Sequence, residues 1–211
     1  MIYNKQIALQ TAGYLLQIKA VKLSPGDLFT WASGIKSPIY CDNRITLSFP
    51  EIRSFIREQF CAAIKDHFEP VDLVAGVATG GIAQGVLVSQ QLELPFAYVR
   101  TTKKDHGLTN LIEGKVDAGQ RVVVVEDLIS TGKSSLEVVE ALRQAGCKIA
   151  GMVAIFTYNL PVSETGFKEV KCPLITLTDY DILIEQALTS NYITENDLSV
   201  LQTFKESLMK K

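Results

Sequence analysis

The chain has 211 residues, and 47% of them are hydrophobic, which is enough for the core of one medium-sized domain. Its formal net charge of -2 gives no reason to expect a nucleic acid or a membrane as a partner, so any basic site must be local. The 4 cysteines have no Cys-x-x-Cys spacing, which argues against structural zinc and against a disulfide framework. The opening residues lack the pattern of a signal peptide and no run of about 18 apolar residues occurs, so we expect a cytoplasmic protein.

Predicted helices and strands alternate along the chain. A helix is expected over residues 4–22, then a hairpin or a pair of short strands within 29–44, and a second helix near Ser48, where Ser48 and Glu51 have capping-box spacing. Further strands are predicted over 73–77, 96–100, 121–125, 149–156 and 174–178, and further helices over 82–91, 181–189 and 195–208, with one more that carries Leu136, Val139 and Leu142 and is capped by Gly146. The polar connection over 101–119 is unusually long for a compact domain, which is typical of functional or mobile loops. This order predicts an α/β fold in a single domain, with a parallel sheet flanked by helices.

The most informative stretch is RVVVVEDLISTGKSS, residues 121–135. Its four consecutive valines predict a central strand buried on both faces, which ends on the acidic pair Glu126 and Asp127. The small, hydroxylic loop that follows also begins a helix, and a helix N-terminus gathers free N–H groups that bind a phosphate. Carboxylates accept hydrogen bonds from vicinal hydroxyls, so the stretch suits a ribose 5-phosphate.

A nucleotide-binding P-loop is the alternative for the same stretch. Residues 131–134, Thr-Gly-Lys-Ser, end like a P-loop, but Asp127 stands where that motif requires a glycine. A carboxylate beside a phosphate costs roughly 4 kcal/mol at a separation of about 4 Å and an effective dielectric near 20. A P-loop kinase is therefore disfavoured.

Three loops are expected to meet beyond the carboxyl ends of the predicted strands. They are the loop over 78–81, the loop that follows Arg100, and the stretch over 126–134. Ligands of open α/β sheets bind at this edge. The loop after Arg100 collects lysines and His106, so this edge carries a local concentration of positive charge.

The stretch VVVVEDLISTGKSS resembles the phosphoribosyl diphosphate (PRPP) signature of the type I phosphoribosyltransferases. FTWASGIKSPIYCDNR and RTTKKDHG are similar to the N-terminal signature and the catalytic loop of the orotate phosphoribosyltransferases, and GVATGGIAQG resembles the diphosphate-binding loop. These matches cover most of residues 29–160. The resemblance implies the type I fold in one domain over 1–211, with a small hood formed by about residues 1–45 and C-terminal elements.

The resemblance also implies roles for individual residues. It places the catalytic roles on Lys104, His106 and Asp127. It assigns PRPP binding to Gly80, Arg100, Lys103, Lys104, His106, Glu126, Asp127, Leu128, Ile129, Ser130, Thr131, Gly132, Lys133 and Ser134. We expect Mg²⁺ to be held mainly by PRPP rather than by the protein, PRPP and orotate to be the substrates, and two copies of the chain to form a homodimer with shared sites.

The sequence departs from some family members where the orotate carboxylate would bind. Ala32 stands where some members have lysine, Thr101 follows Arg100 where a second basic residue can stand, and residues 157–159 replace an arginine. Our hypothesis is that Arg44, or backbone amides near Ser37, bind the carboxylate, with Ser130 also touching the pyrimidine. A phosphoribosyltransferase for another base and a PRPP-sensing regulator remain alternatives; the former lacks segments such as SGIKSPIY and KKDHG, and the latter lacks the Lys-His loop.

Overall fold

The computed structural model describes residues 1–30, 34, 36–100 and 111–209. Its strands are β1 (Val21–Leu23), β2 (Phe29–Thr30), β3 (Lys36–Ser37), β4 (Ile39–Cys41), β5 (Leu73–Val77), β6 (Phe96–Val99), β7 (Ile112–Glu113), β8 (Arg121–Ile129), β9 (Lys148–Thr157) and β10 (Leu174–Asp179). Its α-helices are α1 (Lys5–Gln17), α2 (Pro50–His67), α3 (Gly80–Leu92), α4 (Lys133–Gln144), α5 (Pro161–Glu169), α6 (Tyr180–Thr189) and α7 (Glu195–Met209), and a 3-10 helix spans Asn43–Ser48.

A six-stranded sheet in the order β10-β9-β8-β5-β6-β7 forms the centre of the molecule. All its pairs are parallel except β6 with β7, which is antiparallel. The four valines at 122–125 of β8 have no exposed surface, as expected of a strand covered on both faces. The predicted α/β architecture with a central, mainly parallel sheet is confirmed.

Two hydrophobic cores cover the two faces of this sheet. One contains Val123, Val125 and Val153 and is closed by α1, α2, α6 and α7. The other contains Val122 and Val124 and is closed by α4 and, through Phe167, by α5. Alternate valines of β8 thus pack into opposite cores. This explains why residues 122–125 are all apolar.

The strand order reverses between β5 and β8. From β5 the chain proceeds outward to β6 and β7, whereas from β8 it proceeds in the other direction to β9 and β10. Loops on the two sides of such a switch point diverge and leave a crevice at the carboxyl ends of the strands. The loops that open this crevice follow Val77 and Ile129.

The N-terminal segment forms two small antiparallel sheets beside the main one. β1 pairs with β4, and β2 pairs with β3 through Phe29–Ser37 and Thr30–Lys36, which confirms the predicted hairpin for its described residues. The helix predicted over 4–22 ends earlier, at Gln17, because Lys19 takes a left-handed conformation (φ 57) and residues 21–23 pair with β4.

Other element boundaries also differ from the predictions. Ser48 ends the 3-10 helix rather than capping α2, whose N-cap is Phe49 with Pro50 in the first turn. β8 continues past the acidic pair to Ile129, since β9 pairs with it as far as Thr157. The connection predicted over 101–119 contains the short strand β7, and α5 was not predicted at all. In the described part of the chain, none of the helices is long and apolar enough to cross a membrane.

Candidate active site

The acidic pair lies in the last part of β8, at the switch point. The Glu126 side chain is buried, and each of its oxygens accepts one hydrogen bond: Oε2 from the Ser135 hydroxyl at 3.0 Å and Oε1 from the Asp127 backbone N–H at 2.9 Å. Asp127 is less buried. The structure therefore fixes Glu126 from within the fold and turns Asp127 toward the crevice side, against Gly80.

Both carboxyl groups have raised pKa values. Burial raises the pKa of Glu126 well above its ordinary 4.5, and the adjacent charge of Asp127 raises it further. Burial also raises the pKa of Asp127, although the positive charge of Arg44 opposes this change. Two carboxyls held together in a water-poor place favour a shared proton, or a ligand that donates hydrogen bonds to both.

A loop suited to a phosphate follows the acidic pair directly. Gly132 is the N-cap of α4 with φ 78, and as a glycine it has no side chain to accept the first N–H groups of the helix. Within the first turn, the Lys133 N–H has only a long contact of 3.5 Å to the Thr131 hydroxyl. A side chain at position 132 would be strained by that φ and would approach the Phe167 ring at 3.0 Å, so the loop geometry depends on glycine.

The glycine loop after β5 contacts the acidic pair from the other side of the crevice. A Cβ added at Gly80 would overlap the carboxylate of Asp127, and one added at Gly81 would overlap the carbonyl oxygen of Val125. The peptide bond between Ala78 and Thr79 is cis. The structure thus brings together two of the three predicted loops, and only glycine allows their backbones to approach this closely.

The N-terminal segment also reaches the acidic pair. The Asn43 side-chain amide donates to the carbonyl oxygen of Asp127 at 2.7 Å, although 84 residues separate them. Its neighbour Arg44 forms a two-pronged ion pair with Asp42, with Nε to Oδ1 at 2.7 Å and Nη2 to Oδ2 at 2.9 Å. Arg44 directly follows Asn43, and its positive charge opposes the burial that raises the pKa of Asp127.

Other predicted residues are placed in different ways. Ser130 is half-buried, and Thr131, Lys133 and Ser134 are exposed in the loop and first turn of α4. The Ile129 side chain is fully buried in a core and its carbonyl accepts the Tyr158 N–H at 3.0 Å, while Leu128 packs against the other core. Any contact of these two residues with a ligand would involve their backbone rather than their side chains.

Arg100 lies at the start of the predicted catalytic loop. It forms an ion pair with Glu113 at 3.2 Å, and its N–H donates to the Leu111 carbonyl at 2.9 Å, so the two ends of the loop are tied together. The predicted residues Lys103, Lys104 and His106 lie outside the described part of the chain.

The residues around the expected carboxylate site are already hydrogen-bonded. The Ser37 hydroxyl donates to the Ile39 carbonyl at 2.7 Å. Where some family members have an arginine, the Thr157 hydroxyl accepts the Asn159 N–H at 3.1 Å, and the Asn159 amide donates to Asp179 at 2.8 Å. The bond from Asn159 to Asp179 ties the ends of β9 and β10 together.

The acidic pair does not line the cavity of about 710 Å³ that the structure contains. Ser163 and Phe167 line this cavity, and a Cβ added at Gly132 would meet both of their side chains. Among the described residues, no group of three or more His, Cys, Asp or Glu side chains could hold a metal ion.

Sequence reasoning missed two residues of the site. Ser135 was seen only as part of the loop, and its bond to Glu126 follows from the first turn of α4 standing over β8. Asn43 lies in a segment whose resemblance was noted, but its contact with Asp127 joins distant parts of the chain. The only available signal was its place in the sequence YCDNR, next to Arg44.

A central switch-point sheet, an acidic strand end and a phosphate loop together define a phosphoribosyl transferase, and residues 53–184 match the phosphoribosyl transferase domain family. The chain is 56% identical over 192 residues to an orotate phosphoribosyltransferase of Bacteroides fragilis, covering 91% of both chains. It is 50% identical over 203 residues to the orotate phosphoribosyltransferase of Porphyromonas gingivalis, covering 96% of this chain and 97% of that one. The crystal structure of orotate phosphoribosyltransferase from Aeropyrum pernix superposes with a TM-score of 0.75 at 27% identity, covering 87% of this chain and 99% of that one. The chain belongs to the orotate phosphoribosyltransferase family.

Proposed function

We propose that this chain transfers the ribose 5-phosphate of PRPP to orotate, giving orotidine 5-monophosphate and diphosphate in the synthesis of UMP. The observation that carries the proposal is that two elements converge on the acidic pair: the glycine loop approaches Asp127 at Gly80, and the first turn of α4, which starts at Gly132, is bonded to Glu126 through Ser135. The acidic pair, the glycine loop and the helix start suit, respectively, the ribose hydroxyls, the diphosphate and the 5-phosphate of one PRPP molecule.

In this proposal the acidic pair holds the ribose. The 2- and 3-hydroxyls of the ribose donate to Glu126 and Asp127, which adds hydrogen-bond donors to two adjacent, largely buried carboxylates. As the C1–O bond to diphosphate breaks, positive charge develops on the ribose ring, and the nearby carboxylates stabilise it. The N1 atom of orotate then attacks from the opposite face, so that positioning and electrostatics supply the rate.

The diphosphate leaves toward the glycine loop and the predicted catalytic loop. Backbone amides near Gly80 approach it, and Arg100, Lys103, Lys104 and His106 neutralise the charge that grows on it. In this proposal His106 also donates a proton to the leaving group. Closure of these residues over the substrate excludes water, which would otherwise hydrolyse the reacting ribose.

The described residues fit a Mg²⁺ ion that arrives with PRPP. Glu126 and Asp127 offer oxygen atoms of the kind that Mg²⁺ prefers, but no third acidic, His or Cys side chain joins them in the described part of the chain. Substrate oxygens and water would complete the coordination. When bound, the ion offsets part of the diphosphate charge and orients this group.

Arg44 is our first candidate for the orotate carboxylate, with backbone amides near Ser37 as the alternative and Ser130 as a further contact to the pyrimidine. Its guanidinium uses Nε and one N–H of Nη2 on Asp42, and the remaining N–H groups of Nη1 and Nη2 on this exposed side chain can bind a second planar carboxylate. We also propose a homodimer with shared sites and a cytoplasmic location, the latter supported by four free cysteines.

The direct test supplies the purified protein with PRPP, Mg²⁺ and orotate, with uracil, hypoxanthine and adenine in parallel. We expect loss of orotate absorbance with release of an equal amount of diphosphate, and no reaction of the other bases. Reaction of another base instead of orotate would contradict the assigned specificity. Binding of PRPP without reaction of any base would favour a sensor.

A further inference from the structure

The end of β8 has a strand neighbour on one side only in the described part of the chain. On one side β5 pairs as far as Gly76 opposite Val125, while on the other β9 pairs to the end of β8 at Ile129. Residues 126–129, which contain the acidic pair, therefore need other elements to fix their backbone. Gly80 and Asn43 are the residues that contact Asp127 from outside the main sheet.

Asn43 is itself held rigidly. It is 1% exposed, its Oδ1 accepts the Cys41 thiol at 3.4 Å, and its carbonyl accepts the Thr46 hydroxyl at 2.6 Å. Its amide then donates to the Asp127 carbonyl at 2.7 Å. A buried amide with both ends bonded defines the distance between the two segments that it joins.

We infer that Asn43 is a positioning residue, which sets the Asp127 carboxylate relative to the segment that carries Arg44. The inference rests on the proposed ribose-binding role of Asp127. The position of a short aspartate side chain follows from its backbone, so a shift of the Asp127 carbonyl moves the carboxylate by a similar distance. Displacements of about 1 Å at such a group change binding and rate strongly. Through this one hydrogen bond, a displacement of the segment that carries Arg44 moves the Asp127 carboxylate. A displacement of Asp127 likewise moves that segment.

The test compares Asn43→Ala with Thr46→Val. Asn43→Ala removes the bonds of the side chain to Asp127 and Cys41, whereas Thr46→Val removes a buried bond within the same 3-10 helix, so only the first variant loses a bond that ends on Asp127. For Asn43→Ala we expect the KM for PRPP, and the Kd for PRPP measured by calorimetry, to rise about tenfold. For Thr46→Val we expect a similar fall in melting temperature, with the KM for PRPP within about twofold of the parent.

Two more variants separate the possible failures. Asn43→Ser keeps a smaller donor and should give an intermediate KM for PRPP, which also covers the case in which Asn43→Ala does not fold. Asp127→Asn tests the ribose assignment on its own. If Asp127→Asn weakens PRPP binding but Asn43→Ala and Asn43→Ser match Thr46→Val, the positioning role is refuted. If Asp127→Asn leaves PRPP binding unchanged, the assigned site is wrong and the inference falls with it.

Discussion

Glu126 and Asp127 are held side by side in a setting that opposes their ionisation. Glu126 is 5% exposed, no cation pairs with it among the described residues, and burial and the neighbouring carboxylate raise its pKa. Such a pair is unfavourable for the folded chain alone, and it becomes favourable when a diol donates hydrogen bonds to it. Stability and ligand binding are therefore opposed at these two residues.

Replacing Glu126 by Gln should stabilise the ligand-free protein at neutral pH. The folded pKa is raised, so the folded chain binds more protons than the unfolded chain, and the parent loses stability as pH rises from about 4.5 through that raised pKa. Gln removes this loss while Oε1 can still accept one bond. We expect a gain on the order of 1 kcal/mol in the free energy of unfolding at pH 7.5 and a smaller gain at pH 5.

Denaturant unfolding at the two pH values measures this effect, with Glu137→Gln on the exposed side of α4 as the control. The control should change stability little at either pH, and activity should fall only in Glu126→Gln. A gain that is equal at pH 5 and pH 7.5 would show that ionisation of Glu126 is not its cause.

Arg44→Ala should raise the KM for orotate. Loss of a charge-assisted contact to a carboxylate is worth about 1.5–3 kcal/mol, or roughly tenfold to a hundredfold in affinity. Arg57→Ala is a matched control, because Arg57 also pairs with an adjacent acid, Glu58, at 2.9 Å. An unchanged KM for orotate in Arg44→Ala would contradict the assignment of carboxylate binding to Arg44. It would favour the backbone amides near Ser37 instead.

At the scale of single residues, local sequence predicted the acidic pair at a strand end and the loop that begins α4, because their neighbours in sequence specify these elements. Four valines specify the strand, and Thr131 with Gly132 specifies the turn into the helix. Asn43 could not be found in this way, since its partner is a backbone carbonyl 84 residues away. Backbone groups carry no sequence signal, so contacts of this kind are visible only in the fold.

At the scale of elements, α3 is placed by glycines. Gly80 and Gly81 at its start touch the end of β8, and Gly85 one turn later faces Phe96 and Gly76. The N-terminal end of α3 can therefore lie close against the sheet. Its first N–H groups then lie at the crevice.

Gly80→Ala should disturb the site and the fold together. The added methyl group overlaps the Asp127 carboxylate, and overpacking of this kind costs typically 1–3 kcal/mol. We expect a lower melting temperature and a higher KM for PRPP, with the KM for orotate less affected. Gly26→Ala is the control, because a Cβ at Gly26 meets nothing within 4 Å. Equal KM values for PRPP in the two variants would exclude the predicted clash.

Element boundaries were predicted less well than element order, for reasons of tertiary pairing. β8 extends beyond its four valines because β9 pairs with it past the acidic residues. α5 was missed because Gly166 weakens its helical pattern, although that glycine allows the helix to pack on Leu136 of α4. In both cases, contact with a neighbouring element determines the structure of a segment that its own sequence does not specify.

At the scale of the whole molecule, the predicted catalytic loop begins and ends at the edge of the central sheet. Arg100 and Glu113 fix the two ends of that loop at β6 and β7, toward the edge of the sheet. A loop anchored at an edge can reach the crevice of a second copy, which is the arrangement that we propose for the homodimer.

Mixed dimers test this arrangement. Asp127→Asn and Lys104→Ala chains, each inactive by the proposed roles, are co-expressed with different tags and purified through both tags. If the loop of each copy serves the other copy, one site of every mixed dimer has both Asp127 and Lys104, and activity should return to about half that of the parent. Mixed dimers of Lys104→Ala with His106→Ala form the control, because every site then lacks one loop residue. Activity no higher than that of this control would place each loop over its own crevice.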